Sequence, residues 1–494
     1  MQTVEEVEQH VPIREGEYGA AVAKVEPGGV EFISHSERHG RPINLFWTWL
    51  SPNLEFATVF VGVLGVAIFG LNFWLTAVAI IVGTALGSLT HAILSSWGPK
   101  FGVPMMVQSR GAFGFLGNIL PAGLNAFTGS IGWFIVNSVS GAFALQALAL
   151  LVNWTVPFWL TFLVIVVAQV LIATFGHNFI HLFERWALPL LGVVFALATL
   201  FIFSHANLGV GNNEKAPGFA GQFGSFTLLF TAVFGYAAGW NPYAADYTRY
   251  LPADTDRRMV GLWAGLGVFV SCVVLELAGA ALATVSGTKW GPNDIPTVQL
   301  QQGMPSWVYY LTLLCIAVGA VAANAINIYS GTMSLVAVGI REMGMTLRQR
   351  RAVLAVAAGV LGYIIGIWGQ ANVGPGSKYE FFLLLISYWI AGWLAVVLLD
   401  YWMRRGNYGD GSIFFDTKHQ RWQGFAAMLI GVAVPMYLFA NDYPLYVGPV
   451  STNNGQIGDI TFIVVFLLTG GLYYAFNMLS GRQPAAGVAS SKAA

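Results

Sequence analysis

The sequence predicts an all-α integral membrane protein, with twelve transmembrane helices in a five-plus-five inverted repeat plus two C-terminal helices. Three observations predict this fold class. Hydrophobic residues make up 56% of the chain and charged residues only 9%, whereas a soluble domain holds roughly 25% charged residues. Apolar windows follow one another along most of the 494 residues, and two of them are interrupted by proline at matching positions.

A helix needs about 20 apolar residues to cross a bilayer. The short joints near Leu71, Thr155 and His177 are the softest boundaries, and they leave counts of eleven or thirteen helices open. The twelve predicted segments are 46–70, 72–97, 119–151, 156–175, 180–204, 223–245, 258–285, 307–339, 351–370, 379–402, 421–440 and 459–480.

The basic residues predict the orientation of the chain in the bilayer. With the amino terminus inside, 20 of the 23 Lys and Arg residues fall on the cytoplasmic side, and Lys215, Lys289 and Lys378 fall outside. This distribution fits the positive-inside rule. We therefore expect a multi-pass protein of the cell membrane with cytoplasmic tails at 1–44 and 481–494. The first tail has no apolar core typical of a signal peptide and is expected to be poorly ordered.

Two broken helices predict where the functional site lies. The first segment is interrupted at Ser51-Pro52 and the sixth at Asn241-Pro242, each break lying beside a tryptophan. Proline lacks the amide that would close the helical ladder, so backbone groups are left free inside the membrane. Interrupted helices at corresponding places in two halves indicate the binding site of a secondary transporter.

The spacing of the breaks also predicts the domains. The two prolines are 190 residues apart, and five segments per half make the second copy enter the membrane from the opposite face. The predicted parts are a first repeat at 45–204, a second at 205–402, and helices eleven and twelve at 403–480. The alternative is that prolines are simply common in membrane helices.

Polar and aromatic residues inside the apolar segments are the candidate site residues. Trp133 and Asn137 lie four residues apart on one helical face, which suits a planar heterocycle that stacks and forms hydrogen bonds. Asn324 and Asn327 share a face of the eighth segment and need polar partners. Glu276 lies deep in the seventh segment, where an acid is a functional candidate by default. A packing role for Trp133 and structural hydrogen bonds for the others are the alternatives.

The sequence lacks the motifs that are typical of several other function classes. The sequence contains no phosphate-binding loop, no metal-spaced His/Cys set and no nucleophile-base constellation, so we predict no enzyme, no cofactor and no metal site. Cys272 and Cys315 lie far apart inside apolar segments and are predicted to be free thiols. The formal net charge of zero gives no indication of a nucleic-acid partner.

The sixth segment resembles a known family. Its residues GWNPYAADYTRYLP are similar to the nucleobase–cation symport family, in its purine and cytosine permease branch. The likeness extends to RGAFGFLGN at 110–118, GWFIVNS in the third segment and ANAINIYS in the eighth, and it spans most of residues 45–480. The resemblance implies a LeuT-type fold and a secondary active transporter that imports nucleobases through a midplane site.

The resemblance also implies roles for individual residues. Trp133 would stack on the base and Asn137 would hydrogen-bond to it. The aromatic residue that closes the other face would be Trp240, with Tyr236 as the competing choice. Asn324 and Asn327 would hydrogen-bond to the polar edge of the base. Glu55 would be the substrate-facing polar residue of the first segment.

Ion coupling is where the sequence departs from the family pattern. The carbonyl groups of Ser51 and Leu54 fall where sodium-coupled members bind the ion, but Ala322-Ala323 replace the hydroxyl ligands that those members have. Sodium prefers several oxygen ligands, which alanine side chains do not offer. We therefore predict proton symport, with Glu55 as the first candidate carrier and Glu276 as the second.

Other functions stay open at the level of the sequence. One alternative is a sodium-coupled or facilitated transporter of a related heterocycle such as allantoin, hydantoin, uracil or a vitamin. An amino-acid permease of the same architecture would need a break that offers small residues to a carboxylate, whereas Trp240 and Pro242 crowd this one. A channel or a membrane sensor is a further alternative. A pore would carry rings of polar residues along its length, whereas this chain concentrates its polar residues at mid-depth.

Overall fold

A computed structural model describes residues 12–13, 29–175, 177–211, 221–291, 294–338, 347–372, 375–442 and 445–481. Long helices dominate these ranges, and β1 (Asn441–Asp442) and β2 (Tyr446–Val447) pair as a short antiparallel hairpin. The long helices are α1a (Pro42–Leu50), α1b (Phe56–Val63), α2 (Phe73–Ser95), α3a (Ile119–Phe127), α3b (Phe134–Leu151), α4 (Phe158–Phe175), α5 (His177–His205), α6a (Gly221–Ala238), α6b (Ala244–Thr248), α7 (Arg257–Leu282), α8 (Ser306–Ala337), α9 (Leu347–Asn372), α10 (Pro375–Met403), α11 (Trp422–Phe439) and α12 (Thr461–Leu479).

The helices are apolar enough to cross a membrane repeatedly. Nine helices in the described ranges are long and hydrophobic enough for a span, and the bent pair α1a–α1b makes ten. Each of the twelve predicted segments coincides with a helix, but the apolar parts of α4 and α9, Phe158–Ile172 and Ala355–Trp368, are shorter. The predicted all-helical membrane fold is confirmed, and the count of twelve spans stays a prediction.

The first helix breaks where the sequence predicts. α1a ends at Leu50, a 3-10 turn covers Ser51–Asn53, and the axis bends by 68° across the break. The side chain of Glu55 caps the second half, because its Oε2 accepts a hydrogen bond of 2.9 Å from the Ala57 amide. A carboxylate at a helix N-terminus satisfies an amide that would otherwise lack a partner.

The sixth helix breaks in the same way. α6a ends at Ala238, Asn241–Tyr243 form a 3-10 turn, and α6b begins at Ala244. Every residue from 231 to 251 is buried, so the whole predicted break lies inside the protein. Irregular backbone at membrane depth is tolerated only where protein or a water-filled cavity surrounds it.

The helices pack in two groups with a third element beside them. α7 packs on α1a, α1b and α2, and α2 packs on α6a; α3b, α4 and α8 pack on one another, and α9 packs on α4. α10 contacts α6a, and it also packs against α11 and α12. The proline break of the first helix contacts α8 of the second group, whereas the break of the sixth helix contacts α2 of the first group.

The N-terminal region differs from its prediction. α1a begins at Pro42, which is well suited to a first helical position, so the helix starts within the predicted 1–44 tail. Phe32, Ile33 and Arg38 are buried, and Arg38 Nη1 donates to the Pro99 carbonyl oxygen at 2.6 Å. This part of the tail is packed, contrary to the expectation of poor order, because it carries apolar side chains of its own. Most of 1–28 and all of 482–494 lie outside the described residues.

The predicted repeat boundaries at 45–204, 205–402 and 403–480 stay a prediction. Both cysteines are buried and free, as expected.

Candidate functional site

Trp133 lies where the third helix departs from regular geometry. The segment Thr128–Trp133, between α3a and α3b, is π-helical, and such turns are frequent at functional sites. The indole of Trp133 is 8% exposed and meets the rings of Tyr236 and Phe382 edge-on, with centroid distances of 5.3 and 5.1 Å. Gly239 lies beside it: a Cβ there would come within 3.0 Å of Trp133 Cζ2. The break in helix six thus provides the room that the indole occupies.

Trp240 belongs to the same region but has different neighbours. Its Nε1 donates a hydrogen bond of 2.9 Å to Asn53 Oδ1, which joins the two helix breaks directly. Its ring meets Trp49 and Tyr243 edge-on at 5.7 and 6.1 Å. Among the described aromatic pairs, Trp240 and Trp133 are not in ring contact, and both are slightly exposed. The two indoles therefore have separate ring partners, Tyr236 and Phe382 for Trp133, and Trp49 and Tyr243 for Trp240.

Tyr236 connects helix six to Glu55. Its hydroxyl lies 2.5 Å from Thr58 Oγ1 and 3.4 Å from Glu55 Oε1. Glu55 is 1% exposed, and no Lys, Arg or His in the described ranges forms an ion pair with it. Because Tyr236 also touches Trp133, one residue separates the carboxyl group from that indole. Trp133 and Trp240 together are called the aromatic wall below.

The three predicted amides meet in one cluster. Asn324 Oδ1 accepts hydrogen bonds from Asn137 Nδ2 at 3.0 Å and from Asn327 Nδ2 at 3.1 Å. The Nδ2 of Asn324 donates to the Phe134 carbonyl oxygen and to Ser138 Oγ. Asn324 is therefore occupied on both ends, whereas the buried Oδ1 of Asn327 has no partner among the described residues.

Glu276 lies apart from this cluster. It is fully buried in α7, and its Oε2 accepts a hydrogen bond of 3.0 Å from Thr84 in α2. The other oxygen, Oε1, has no partner among the described residues. Glu276 forms no described hydrogen bond with the other predicted site residues, so the structure brings Glu55 and not Glu276 to the aromatic wall.

The expected ion position lies between α1 and α8. The Ser51 carbonyl oxygen already accepts from the Leu54 amide at 3.1 Å, while the buried Ser51 hydroxyl has no partner in the described part of the chain. A Cβ on Gly319 of α8 would lie 2.5 Å from the Leu54 carbonyl oxygen, so the two helices approach closely. Ala322 and Ala323, one turn further along α8, are buried and contribute only methyl groups.

A cavity of about 220 Å³ opens beside these residues. Its walls come from α1b, α3b and α10 and include Phe56, Phe60, Tyr379 and Phe382. Phe56 follows Glu55 in sequence, and Phe382 contacts Trp133. The cavity therefore lies beside Glu55 and Trp133, and its lining extends to Pro296 in the connection between α7 and α8.

Sequence reasoning did not identify Gln169, Asn53 and Phe382. Gln169 in α4 is fully buried, accepts from Ser138 Oγ at 2.7 Å and donates to the Ala320 carbonyl oxygen at 3.1 Å. It thereby supports Asn324 through Ser138. Gln169 could have been found from the sequence, because it is a lone amide within an otherwise apolar segment. Asn53 could have been found as well, because it is a polar residue directly after Pro52. Phe382 stands among many apolar residues, and no sequence pattern separates it from them.

Comparison with known proteins agrees with this geometry. Residues 32–463 match the family described as permease for cytosine/purines, uracil, thiamine, allantoin. The chain belongs to this family. The resemblance recognised in the sixth segment is thereby confirmed, and the family consists of transporters, not enzymes.

Two curated relatives match this chain along most of their length. Purine-cytosine permease fcyB of Emericella nidulans is 29% identical, over 90% of this chain and 87% of its own. Purine-cytosine permease FCY21 of Saccharomyces cerevisiae is 26% identical, over 94% of this chain and 87% of its own.

The fold is that of a solved member of the wider family. Mhp1, a nucleobase-cation-symport-1 family transporter in a closed conformation with bromovinylhydantoin bound, superposes with a TM-score of 0.69 at 17% identity. The match covers 92% of this chain and 96% of Mhp1. This likeness concerns the fold alone, and it confirms the predicted LeuT-type architecture.

Proposed function

We propose that this protein is a secondary active transporter that imports nucleobases, cytosine or purines, across the cell membrane by proton symport. Both chain ends lie in the cytoplasm, and the substrate site at the membrane midplane is reached alternately from each side. The names of the relatives support the substrate class. The basic residues concentrated on one side support the orientation.

The observation that carries the proposal is the pairing of an aromatic wall with an unpaired buried acid. Trp133 stacks on one face of the base, and Trp240, held by Asn53, closes the other face. Tyr236 is less suited than Trp240 to close the second face. Its ring already touches Trp133 edge-on, which leaves no room for a base between the two rings. Asn137 and Asn327 read the polar edge, and Asn324 fixes the orientation of both amides.

Glu55 carries the coupled proton. A carboxyl group without a cationic partner can bind a proton. Glu55 is also linked to the aromatic wall, because Tyr236 donates to its carboxyl group and contacts Trp133. Ala322 and Ala323 offer no side-chain oxygen at the position where a sodium ion would need ligands. Glu276 is the second candidate carrier, and it is the weaker one because its described hydrogen bond goes to Thr84 and not to Tyr236 or the tryptophans.

A competition assay tests the substrate class. Purified protein in liposomes takes up labelled cytosine at two pH values, with and without sodium, while a dozen unlabelled bases and related heterocycles compete. We expect several nucleobases to compete and amino acids to have no effect. A preference for allantoin, hydantoin or a vitamin over every nucleobase would contradict the proposed substrate.

A sodium-coupled transporter is the second candidate function. One observation favours it: the buried hydroxyl of Ser51, a residue whose carbonyl group is expected at the sodium site, has no partner in the described part of the chain. Uptake that requires sodium at fixed pH would select this candidate.

A further inference from the structure

A groove of about 730 Å³ lies on the surface between α2, α10 and α12, away from the substrate site. Its lining is mostly apolar and aromatic, and it includes Ile93, Trp402, Tyr474 and Met478, which are between 40% and 70% exposed. Its floor contains Trp97 and Tyr401, whose rings stack at 4.1 Å between centroids. Side chains of this kind suit hydrocarbon chains.

One end of the groove is positively charged. Arg405 lines it, is exposed, and forms no salt bridge or side-chain hydrogen bond with the described residues. Lys100 lies close by, because its ammonium group donates to the carbonyl oxygen of Gly406. The neighbouring Arg404 is different, since it is paired with Asp400 at 2.9 Å. The groove therefore joins an apolar channel to a cationic end at the last turn of a membrane span.

Arg405 occupies a backbone position that favours glycine. Its φ is 51°, in the left-handed region, two residues after α10 ends at Met403, and the next amide, that of Gly406, donates to the Tyr401 carbonyl oxygen. Glycine usually takes the left-handed position of this type of helix end. A non-glycine residue held there is strained, and such strain is commonly stored at functional positions. Arginine at this place thus has a cost that the fold alone does not explain.

We propose that the groove binds an anionic phospholipid, with its phosphate group on Arg405 and one acyl chain along the apolar walls. Basic pockets between membrane helices near the interface are suited to anionic head groups. Trp402, at the same level, is the kind of residue that anchors at the interface. Because the groove spans the seam between α2 and α10, the bound lipid holds together two elements of different packing groups.

Native mass spectrometry tests this site directly. The purified full chain is exposed to equal amounts of phosphatidylglycerol and phosphatidylcholine with identical acyl chains, and the retained lipid is read from the mass. We expect preferential retention of one phosphatidylglycerol. Arg405→Gln should reduce that preference about fivefold, the contribution of one basic residue near an anionic surface. The matched control is Arg258→Gln, which removes an exposed charge outside the groove and should leave the preference unchanged.

A second variant separates lipid binding from folding. Arg405→Gly relieves the left-handed strain, so it should raise the melting temperature without lipid and still lose the phosphatidylglycerol preference. Equal retention of both lipids by the unmodified chain would overturn the proposal, as would a preference that survives both Arg405 variants. A dimer that retains no lipid would assign the groove to a second copy of the chain instead. The assay does not depend on transport, so its result is independent of the proposed function.

Discussion

Tyr236 and Trp240 lie four residues apart on the sixth helix, and their hydrogen bonds distinguish their roles. The Tyr236 hydroxyl contacts Thr58 and Glu55, whereas the Trp240 indole contacts Asn53. The first set of contacts belongs to the acid and the second to the helix break. We therefore assign Tyr236 to coupling and Trp240 to the substrate wall.

Two substitutions test this assignment. Trp240→Ala removes one face of the stack, and because stacking of a base on an aromatic ring contributes about 1–3 kcal/mol, the dissociation constant should rise roughly tenfold to a hundredfold. Tyr236→Phe keeps the ring and removes only the hydroxyl, so affinity at fixed pH should change little while the pH dependence of uptake shifts. Equilibrium binding of a labelled base measures the first effect. Unchanged affinity in Trp240→Ala would contradict the assignment.

The sequence predicts this site unevenly at the residue scale. Asn137, Asn324 and Asn327 stand out because polar side chains are rare in membrane helices, and Trp133 stands out because it shares a helical face with Asn137. Gln169 supports Asn324 only through Ser138, and that connection depends on how three helices pack. A single sequence does not contain this information.

At the scale of elements, α1b and α7 approach each other through two glycines. A Cβ on Gly62 would lie 1.7 Å from the Glu276 carbonyl oxygen, and a Cβ on Gly279 would lie 1.7 Å from that of Val59. Small residues allow membrane helices to pack at such short distances. This contact fixes the half-helix that Glu55 caps.

A methyl group at this contact should therefore destabilise the protein. Gly279→Ala forces α1b and α7 apart, and overpacking of this kind costs about 1–3 kcal/mol. The melting temperature in detergent measures the loss. Gly192→Ala is the matched control, since a Cβ there meets nothing within 4 Å and the substitution should be neutral or slightly stabilising. Equal melting temperatures for the two variants would contradict the close contact.

The loop between α11 and α12 holds two buried acids outside the spans. Burial raises the pKa of Asp442 from 3.8 to about 8, with a further contribution from the charge of Asp459. Burial also raises the pKa of Asp459 to about 6, although hydrogen bonds from Tyr388, Thr461 and Asn441 oppose the shift. The folded chain thus keeps protons that the unfolded chain releases.

This difference predicts a loss of stability as pH rises. Since the folded pKa lies above the unfolded value, the free energy of unfolding should fall between pH 3.8 and about pH 8 and then level off. Asp442→Asn cannot ionise and should make the fall shallower. Melting temperatures across this pH range measure it. Asp254→Asn, which alters an exposed acid, should keep the original slope, and the same slope in all three proteins would refute the role of Asp442.

The sequence predicts the broken elements better than the distorted ones. Proline removes a backbone donor, so the breaks after Leu50 and Ala238 were predictable from Pro52 and Pro242. The π-helical turn Thr128–Trp133 contains no proline, so its sequence carries no signal of comparable strength.

At the scale of the whole molecule, the side on which α1a begins is sealed by buried arginines. Arg249 is 1% exposed and donates to the Gly29 carbonyl oxygen at 2.8 Å, which ties the N-terminal segment to α6b. Arg110 donates to the Ala337 carbonyl oxygen at 2.7 Å at the end of α8. α7 begins shortly after Arg249, and Pro296 follows its far end, so the cavity beside Phe56 and Tyr379 extends toward the opposite end of the fold. This is the arrangement expected of a transporter whose site is reached from one side at a time.

The fold class followed from composition, apolar windows and the paired breaks, all of which are local properties. The packing of residues 29–38 against the helices did not follow, because the first segment of a polar tail gives little indication that Phe32 and Ile33 have a place in the core. The direction in which the site is open depends on side-chain contacts between distant segments and also lies beyond a single sequence.

The central claim is that Glu55 couples nucleobase uptake to protons. The most direct measurement is accumulation of labelled cytosine in liposomes containing Glu55→Gln or the unmodified protein, under an imposed proton gradient without sodium. We predict accumulation by the unmodified protein and none by Glu55→Gln, which should still exchange internal for external base at a measurable rate. Accumulation that needs a sodium gradient at fixed pH, or that persists in Glu55→Gln, would contradict the account.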